Sequence, residues 1–274
     1  MRLAFLTAAL LAAATPALAT PTEDFQRLMA DHYQWLLREN PTDATSLGVR
    51  DYDNRIRDIS PAARDRRVRE AQAFLARLDA IPEAGLAPAD RVNRAIMRRQ
   101  LGEAVEDNNF AQRDMLFTTY YGWHQGFAGL ARGLPFRTRA DYESYLARIA
   151  QYPRLNDEAL AITANAVRGG YVLPCSVLTG YERTISGVIA ADPTRSRFYE
   201  PFLGNRPTGM NEADWAAIQA RARTIITTAI NPAYQKHLDF YMRDYLPHCA
   251  RSDSIAAQPR GAEYYALQVR ENTT

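Results

Sequence analysis

Residues 211–247, NEADWAAIQARARTIITTAINPAYQKHLDFYMRDYLP, carry the longest continuous periodic pattern in the chain. Trp215, Ile218, Ala222, Ile225, Ile226 and Ile230 recur at steps of three and four, and the pattern resumes after Pro232 with Tyr234, His237, Leu238, Tyr241, Met242 and Tyr245. Such a stripe is one apolar face of an α-helix. Asn211, followed three residues on by Asp214, reads as an N-cap with an acidic first turn. Pro232 has no backbone donor, so it is expected to kink the rod or split it into two helices, and Pro247 to end it. A rod this long and this aromatic needs other helices to cover it.

The rest of the chain supplies them. Phe25, Leu28, Met29, Tyr33, Leu36 and Leu37 share a face of a helix over 22–40, with Thr22 as its cap and Pro41 just beyond its end. Ser60-Pro61 opens a second helix that runs to about Asp79 through Val68, Ala71, Phe74, Leu75 and Leu78. A third runs from about Ala89 to Ala111 with Val92, Ile96, Leu101 and Val105 inward. Thr138 and Asp141 form a capping box before Tyr142, Tyr145, Leu146 and Ile149. Pro153 starts another helix, ended by Gly169-Gly170, and Pro174 opens the next through Val177, Leu178, Tyr181, Ile185 and Val188. GAEYYALQVREN is the last. No run alternates with period two, so the fold class is all-α, a multi-helix bundle of about eight to ten helices.

Arg2 followed by the apolar LAFLTAALLAAATPALA reads as a secretory leader cleaved after Ala19, leaving 20–274 as one α-helical domain, exported to the periplasm or secreted. The apolar run is short for a membrane span, and no membrane association is expected once the leader is gone. A chain of this length buries enough surface to need no staple. The formal charge of +2 argues against nucleic acid as a partner. Cys175 and Cys249 are the two cysteines. In an exported chain an even count favours a disulfide, worth about 4 kcal/mol for a loop this long, over two separate buried thiols.

Residues 115–136, MLFTTYYGWHQGFAGLARGLPF, break the periodicity and mix aromatics with glycines. The segment is either a buried irregular crossing or a groove lining in which Tyr120, Tyr121, Trp123 and His124 face a ligand. Metal and nucleophile motifs are absent. His32, His124, His237 and His248 include no H-E-x-x-H pair, and surface or capping roles suit them better. There is no G-x-S-x-G elbow and no phosphate-binding glycine loop. Glu106-Asp107 and Asp157-Glu158 read as solvated helix faces.

NPTDATSLGVRDYDNR, FRTRADYESYLARI, GGYVLP, NPAYQKHLDFYMRDYLP and PRGAEYYALQVRENTT, in that order and spacing, resemble the N-terminal half of a bacterial family known as domain of unknown function 885 (DUF885). The resemblance covers roughly residues 22–274. It implies an all-α, zinc-metallopeptidase-like protein of about twice this length, whose histidine-glutamate motif lies downstream of the tyrosine-rich helix matched by Tyr264 and Tyr265. On that resemblance no metal ligand or general base falls on this chain. Zinc is implied for the full-length family and no cofactor within these residues. A peptide is the implied substrate once a C-terminal half is present. Arg260, Tyr264 and Tyr265 join the aromatic segment as candidate channel residues, beside the plainer reading that both tyrosines are core or interface aromatics. The chain is thus expected to be either a fragment truncated before the metal-binding motif or a shortened, non-catalytic helical module.

Overall fold

The computed structural model describes residues 20–273; the leader read over residues 1–19 lies outside them. Ten α-helices are present among the described residues, taking 212–245 as one. They are α1 (Pro21–Glu39), α2 (Pro41–Ser46), α3 (Pro61–Asp79), α4 (Pro88–Asp107), α5 (Trp123–Ala128), α6 (Arg139–Ile149), α7 (Tyr152–Arg168), α8 (Glu182–Ser186), the rod α9 (212–245) and α10 (Gly261–Asn272). Short 3-10 turns join them, and the described residues pair as strands only at two isolated bridges. No helix among them is long and apolar enough to cross a membrane.

Local signals place most helix starts. Ser60 caps α3 ahead of Pro61, and Thr138 and Asp141 form the capping box of α6. At α1 the cap is Thr20, two residues earlier than Thr22, because Glu23 closes a capping box on it with Pro21 between. The helix expected from Pro174 does not form. Cys175–Val177 is a 3-10 turn and α8 is a five-residue piece, because Gly180 takes φ +77 and breaks the run between them. On α4, Met97 and Leu101 face the core, whereas Val92 and Ile96 are 60 % and 49 % exposed, contrary to their expected orientation.

Two apolar clusters result. Phe25 and Leu28 of α1 pack with Ala71, Phe74 and Leu78 of α3 and with Met97 and Leu101 of α4. The larger cluster gathers around the rod. Its buried stripe runs Ile218, Ala222, Ile226, Ile230, Tyr234, then His237, Tyr241 and Tyr245, each at most 2 % exposed. Successive steps of four advance an α-helix by about 40° beyond a full turn, so four such steps would carry the stripe about 160°, nearly to the opposite face. The rod corrects the drift with two π-helical segments, Ile226–Ile230 and Tyr241–Tyr245. The first also accommodates Pro232. Asn231 donates its N–H to Ile226 O across the wider turn, so of the two expectations, a kink or a split, the split does not occur and the helix continues through the proline.

A buried guanidinium ties α6 to α2 and the loop that follows it. Arg148 on α6 is 1 % exposed. Its Nε donates to Arg55 O at 2.8 Å and its Nη2 to Pro41 O, Thr45 Oγ1 and Tyr52 O at 3.0, 2.6 and 3.1 Å. Thr45 donates in turn to Asp53 at 2.6 Å, and Arg50 bridges Asp53 and Asp141. Cys175 and Cys249, 74 positions apart in sequence, form a disulfide with Cα atoms 5.1 Å apart. Cys175 N–H donates to Ala250 O at 2.8 Å and Ala250 N–H to Leu173 O at 2.9 Å alongside it.

Arg148→Met removes the donor to Arg55 O, the bond to Thr45 Oγ1 and one donor each from Pro41 O and Tyr52 O, and is expected to lower unfolding free energy by about 3 kcal/mol, measured by urea titration. The double change Cys175→Ser with Cys249→Ser is expected to cost about 4 kcal/mol in the same assay, the value for releasing a loop of this length.

Candidate functional site

The aromatic segment begins with a tight turn. Phe117 and Gly122 form an antiparallel bridge, and Thr118 N–H donates to Tyr121 O at 2.7 Å. Thr118 Oγ1 accepts from the N–H groups of Tyr120 and Tyr121 at 3.1 and 3.3 Å. A side chain at position 122 would come within 2.9 Å of His124 and Phe117, so only glycine lets the chain close here. Tyr120 and Tyr121 stand at the tip, 91 % and 63 % exposed.

The start of α10 lies beside this tip. Arg260 adopts φ 53, ψ 21, the left-handed region that costs a residue with a Cβ about 1–2 kcal/mol. Its guanidinium lies 4.5 Å over the Phe110 ring, donates to Asn109 O at 3.0 Å and pairs with Glu263 at 2.9 Å. A Cβ on Gly261 would collide with Ile255 O, and Gln112 Nε2 donates to Pro259 O at 3.0 Å. Tyr264 packs against Phe110 with centroids 5.6 Å apart. Burial, then the charges of Asp107, Glu271 and Tyr121, push its phenol up to about 12. Tyr265 is 60 % exposed on the same helix. The fold therefore brings Tyr121, Arg260 and Tyr264 to one edge, with Tyr120 and Tyr265 open to solvent.

Trp123 and His124 go elsewhere. His124 is fully buried, and the reading in which it faces a ligand is corrected by that burial. Trp123 stacks on His237 at 4.3 Å, and His124 meets His237 edge-on at 4.8 Å. Trp123 Nε1–H donates to Asn156 Oδ1 at 3.1 Å, and Asn156 Nδ2 donates to Ala233 O at 3.0 Å. The Thr184 hydroxyl donates to Tyr181 O at 2.8 Å, so it accepts from His124 Nε2–H at 3.0 Å and fixes that tautomer. His237 is likewise buried, against the surface role expected of it, whereas His248 accepts its place at the rod end by bonding to Asp244 O at 2.9 Å. Burial pushes His124 down to about 4 and, with the charge of His124 as second cause, His237 down to about 2.

A zinc site needs three protein ligands or more. His124 and His237 adjoin, but no three His, Cys, Asp or Glu side chains among the described residues gather as a metal-holding group. The residues present do not fit the zinc that the family resemblance implies.

Sequence reading also missed a cleft of about 690 Å³ between α1, α3, α4 and the chain around 108–116. Arg57, Arg64, Arg67 and Arg113 line it together with Asp107. Asp107 is half-buried there, and burial pushes its carboxyl up, opposed by Arg113 and Arg64, so it is not the solvated surface acid expected of it. The signal available in the sequence was only the density of arginines over 55–69.

The profile of a family described as bacterial protein of unknown function (DUF885) matches residues 41–274. No curated protein matches the chain. Among solved structures, a similar fold is that of the "putative lipoprotein" from Colwellia psychrerythraea, with a TM-score of 0.77 at 15 % identity. The match covers 92 % of this chain and 46 % of that one, so this chain spans about half the length of that protein.

Both interior histidines are held neutral in the fold, while the unfolded chain binds their protons near pH 6.5. Their contribution is complete above that pH and is lost as the pH falls, by roughly 1.4 kcal/mol per pH unit per histidine, toward about 4 for His124 and lower for His237. Urea midpoints at pH 7.0, 6.0 and 5.0 are expected to fall steeply, and His237→Phe to flatten the slope. The match over residues 41–274 places the chain in the bacterial protein family of unknown function DUF885.

Proposed function

We propose that this chain is the N-terminal, substrate-channel wall of an exported metal-dependent peptidase, in which zinc and the general base belong to a second half and this chain contributes binding. In this reading the leader over 1–19 is removed after Ala19 and the substrate is a peptide. The observation that carries it is the convergence of Tyr121, Arg260 and Tyr264 at one edge of the fold. Phenol hydroxyls and a guanidinium donate to peptide carbonyls and to a terminal carboxylate, and the rings offer apolar contact area. The half-length match to a longer chain of the same fold supports a missing second wall. Tyr120, 91 % exposed at the tip of a rigid turn, favours an alternative in which the chain is a non-catalytic periplasmic binding module.

Fluorescence polarisation with a mixture of labelled tetrapeptides tests the proposal. Binding is expected in the micromolar range or weaker. Arg260→Gly, which removes the guanidinium without adding backbone strain, is expected to weaken binding about tenfold, the value of one charge-assisted hydrogen bond, and Tyr264→Phe about fivefold, the value of one neutral hydrogen bond. Peptide hydrolysis by this chain alone, inhibited by a chelator, would overturn the assignment of catalysis to a second half. Binding of folded protein partners with no peptide affinity would favour the module.

A further inference from the structure

Four guanidinium groups around one concave surface need an explanation that packing does not supply. Arg57, Arg64, Arg67 and Arg113 line the 690 Å³ cleft from three separate stretches of chain. Its remaining surface is mostly apolar, with Trp35 and Leu36 of α1, Val68 of α3 and Leu101 of α4 among the walls. The arginines are incompletely paired. Arg57 makes one side-chain hydrogen bond, to the neutral Asn40 Oδ1 at 2.8 Å. Arg67 donates to Asp58 O at 2.9 Å and reaches Glu39 only at 3.4 Å, a carboxylate already held by Arg66 at 2.7 Å. Arg64 pairs with Asp114 at 2.5 Å, and Arg113 lies 3.9 Å from the same carboxylate and donates through Nη1 to Asn108 O at 2.5 Å, leaving Nη2 without a partner. The Nε atoms of Arg64 and Arg113 and Asn108 Oδ1 are buried without a partner. Asp107 is the one carboxylate lining the cleft.

An apolar trough rimmed by surplus guanidinium groups matches one ligand chemistry: a single carboxylate on an apolar body. Guanidinium binds carboxylate through paired N–H donors, and its weaker hydration makes it the cation best suited to a partly dry site. The volume lies in the range of sites that enclose a small ligand. A polyanion such as a nucleotide would leave the apolar walls uncovered, and a neutral apolar ligand would leave the guanidinium groups unanswered. We propose that this cleft binds an amphiphilic carboxylate, with Arg57 and Arg113 at the carboxylate and the body against Trp35, Val68 and Leu101. The inference stands on the cleft alone and does not rest on the peptidase reading, whose residues Tyr121, Arg260 and Tyr264 lie outside its lining. Two sources share the chemistry: a fatty acid, and the C-terminal end of a peptide with apolar residues.

Isothermal titration of the full chain with decanoate, with N-acetyl-Leu-Phe as free acid and with the amide of the same dipeptide tests the inference. The expected result is saturable binding of decanoate or of the dipeptide acid, at least tenfold tighter than the amide. Arg57→Ala is expected to weaken it about tenfold, the value of one charge-assisted pair. Ala104→Trp, which fills the cleft from an exposed position, is expected to abolish it, and thermal melts report whether each variant is folded. Because Arg57 holds no backbone group, its variant carries the test even where the tryptophan variant unfolds. Decanoate binding alone assigns the cleft to fatty acids, and dipeptide acid binding alone to peptide ends. No binding of either acid below about 1 mM, a Kd at which binding is worth only about 4 kcal/mol, overturns the inference. So does equal binding of acid and amide, or inorganic phosphate binding as tightly as the acids, or binding unchanged by Arg57→Ala.

Discussion

A straight stripe of buried side chains on one rod sets the geometry of the larger core. Ile218, Ala222, Ile226, Ile230 and Tyr234 stand four residues apart, a spacing that an α-helix turns steadily away from any fixed neighbour. The π segments at Ile226–Ile230 and Tyr241–Tyr245 keep the stripe pointed at the same partners. Those partners depend on it. Tyr152 of α7 stacks on Tyr234 at 4.6 Å. Tyr234 donates to His124 O at 2.6 Å, and Tyr245 accepts from Leu173 N–H at 2.9 Å. Asn231 exchanges hydrogen bonds with Ala190, Nδ2 to O at 2.8 Å and N–H to Oδ1 at 3.3 Å, and so holds the loop after α8. Side chains on the rod thus satisfy the backbone of the irregular segments around it, which lack ladders of their own.

The stretches that carry the family resemblance meet in space where the fold is hardest to hold. Pro41, Thr45, Asp53 and Arg55 come from the first stretch and Asp141 and Arg148 from the second, and all six belong to the polar network that ties α6 to α2 and the loop after it. Leu173 comes from the third and Tyr245 from the fourth, and they hydrogen-bond each other. Pro259, Arg260 and Gly261 from the fifth dock the last helix on Gln112, Asn109 and Phe110. Each of these stretches therefore contributes partners to buried or half-buried polar groups, a task with few solutions once the backbone path is fixed.

What the sequence made legible is what is decided within a few residues. The caps at Ser60 and Thr138, the length of the rod and the all-α class follow from neighbours one turn apart. What it hid is assembled across distance. The arginine cleft joins residues 57, 64, 67 and 113, and nothing in the spacing of 113 relative to the others announces it. Val92 and Ile96 obey helical periodicity yet remain exposed, because periodicity gives a face and not its orientation to the neighbours. His124 and His237 lie 113 positions apart in number from one another's backbone only on paper; in the fold their rings are 4.8 Å apart, with Thr184 and Trp123 around them. The left-handed Arg260 is invisible for another reason: the sequence offers a glycine next to it, at 261, and that glycine is needed for clearance from Ile255 and not for its φ.

The π turns carry a consequence for how relatives of this chain are to be aligned. A π turn holds one residue more than the α turn it replaces, so each behaves as a single-residue insertion absorbed inside a helix. A relative without the turn at Ile226–Ile230 would show a one-residue gap in the middle of an otherwise gapless helical block, just upstream of its counterpart of Pro232. Placing that gap in a later loop instead would rotate every position between by about 100°, bringing the counterpart of solvent-facing Gln235 into the column of Tyr234 and the counterpart of buried His237 into that of Lys236.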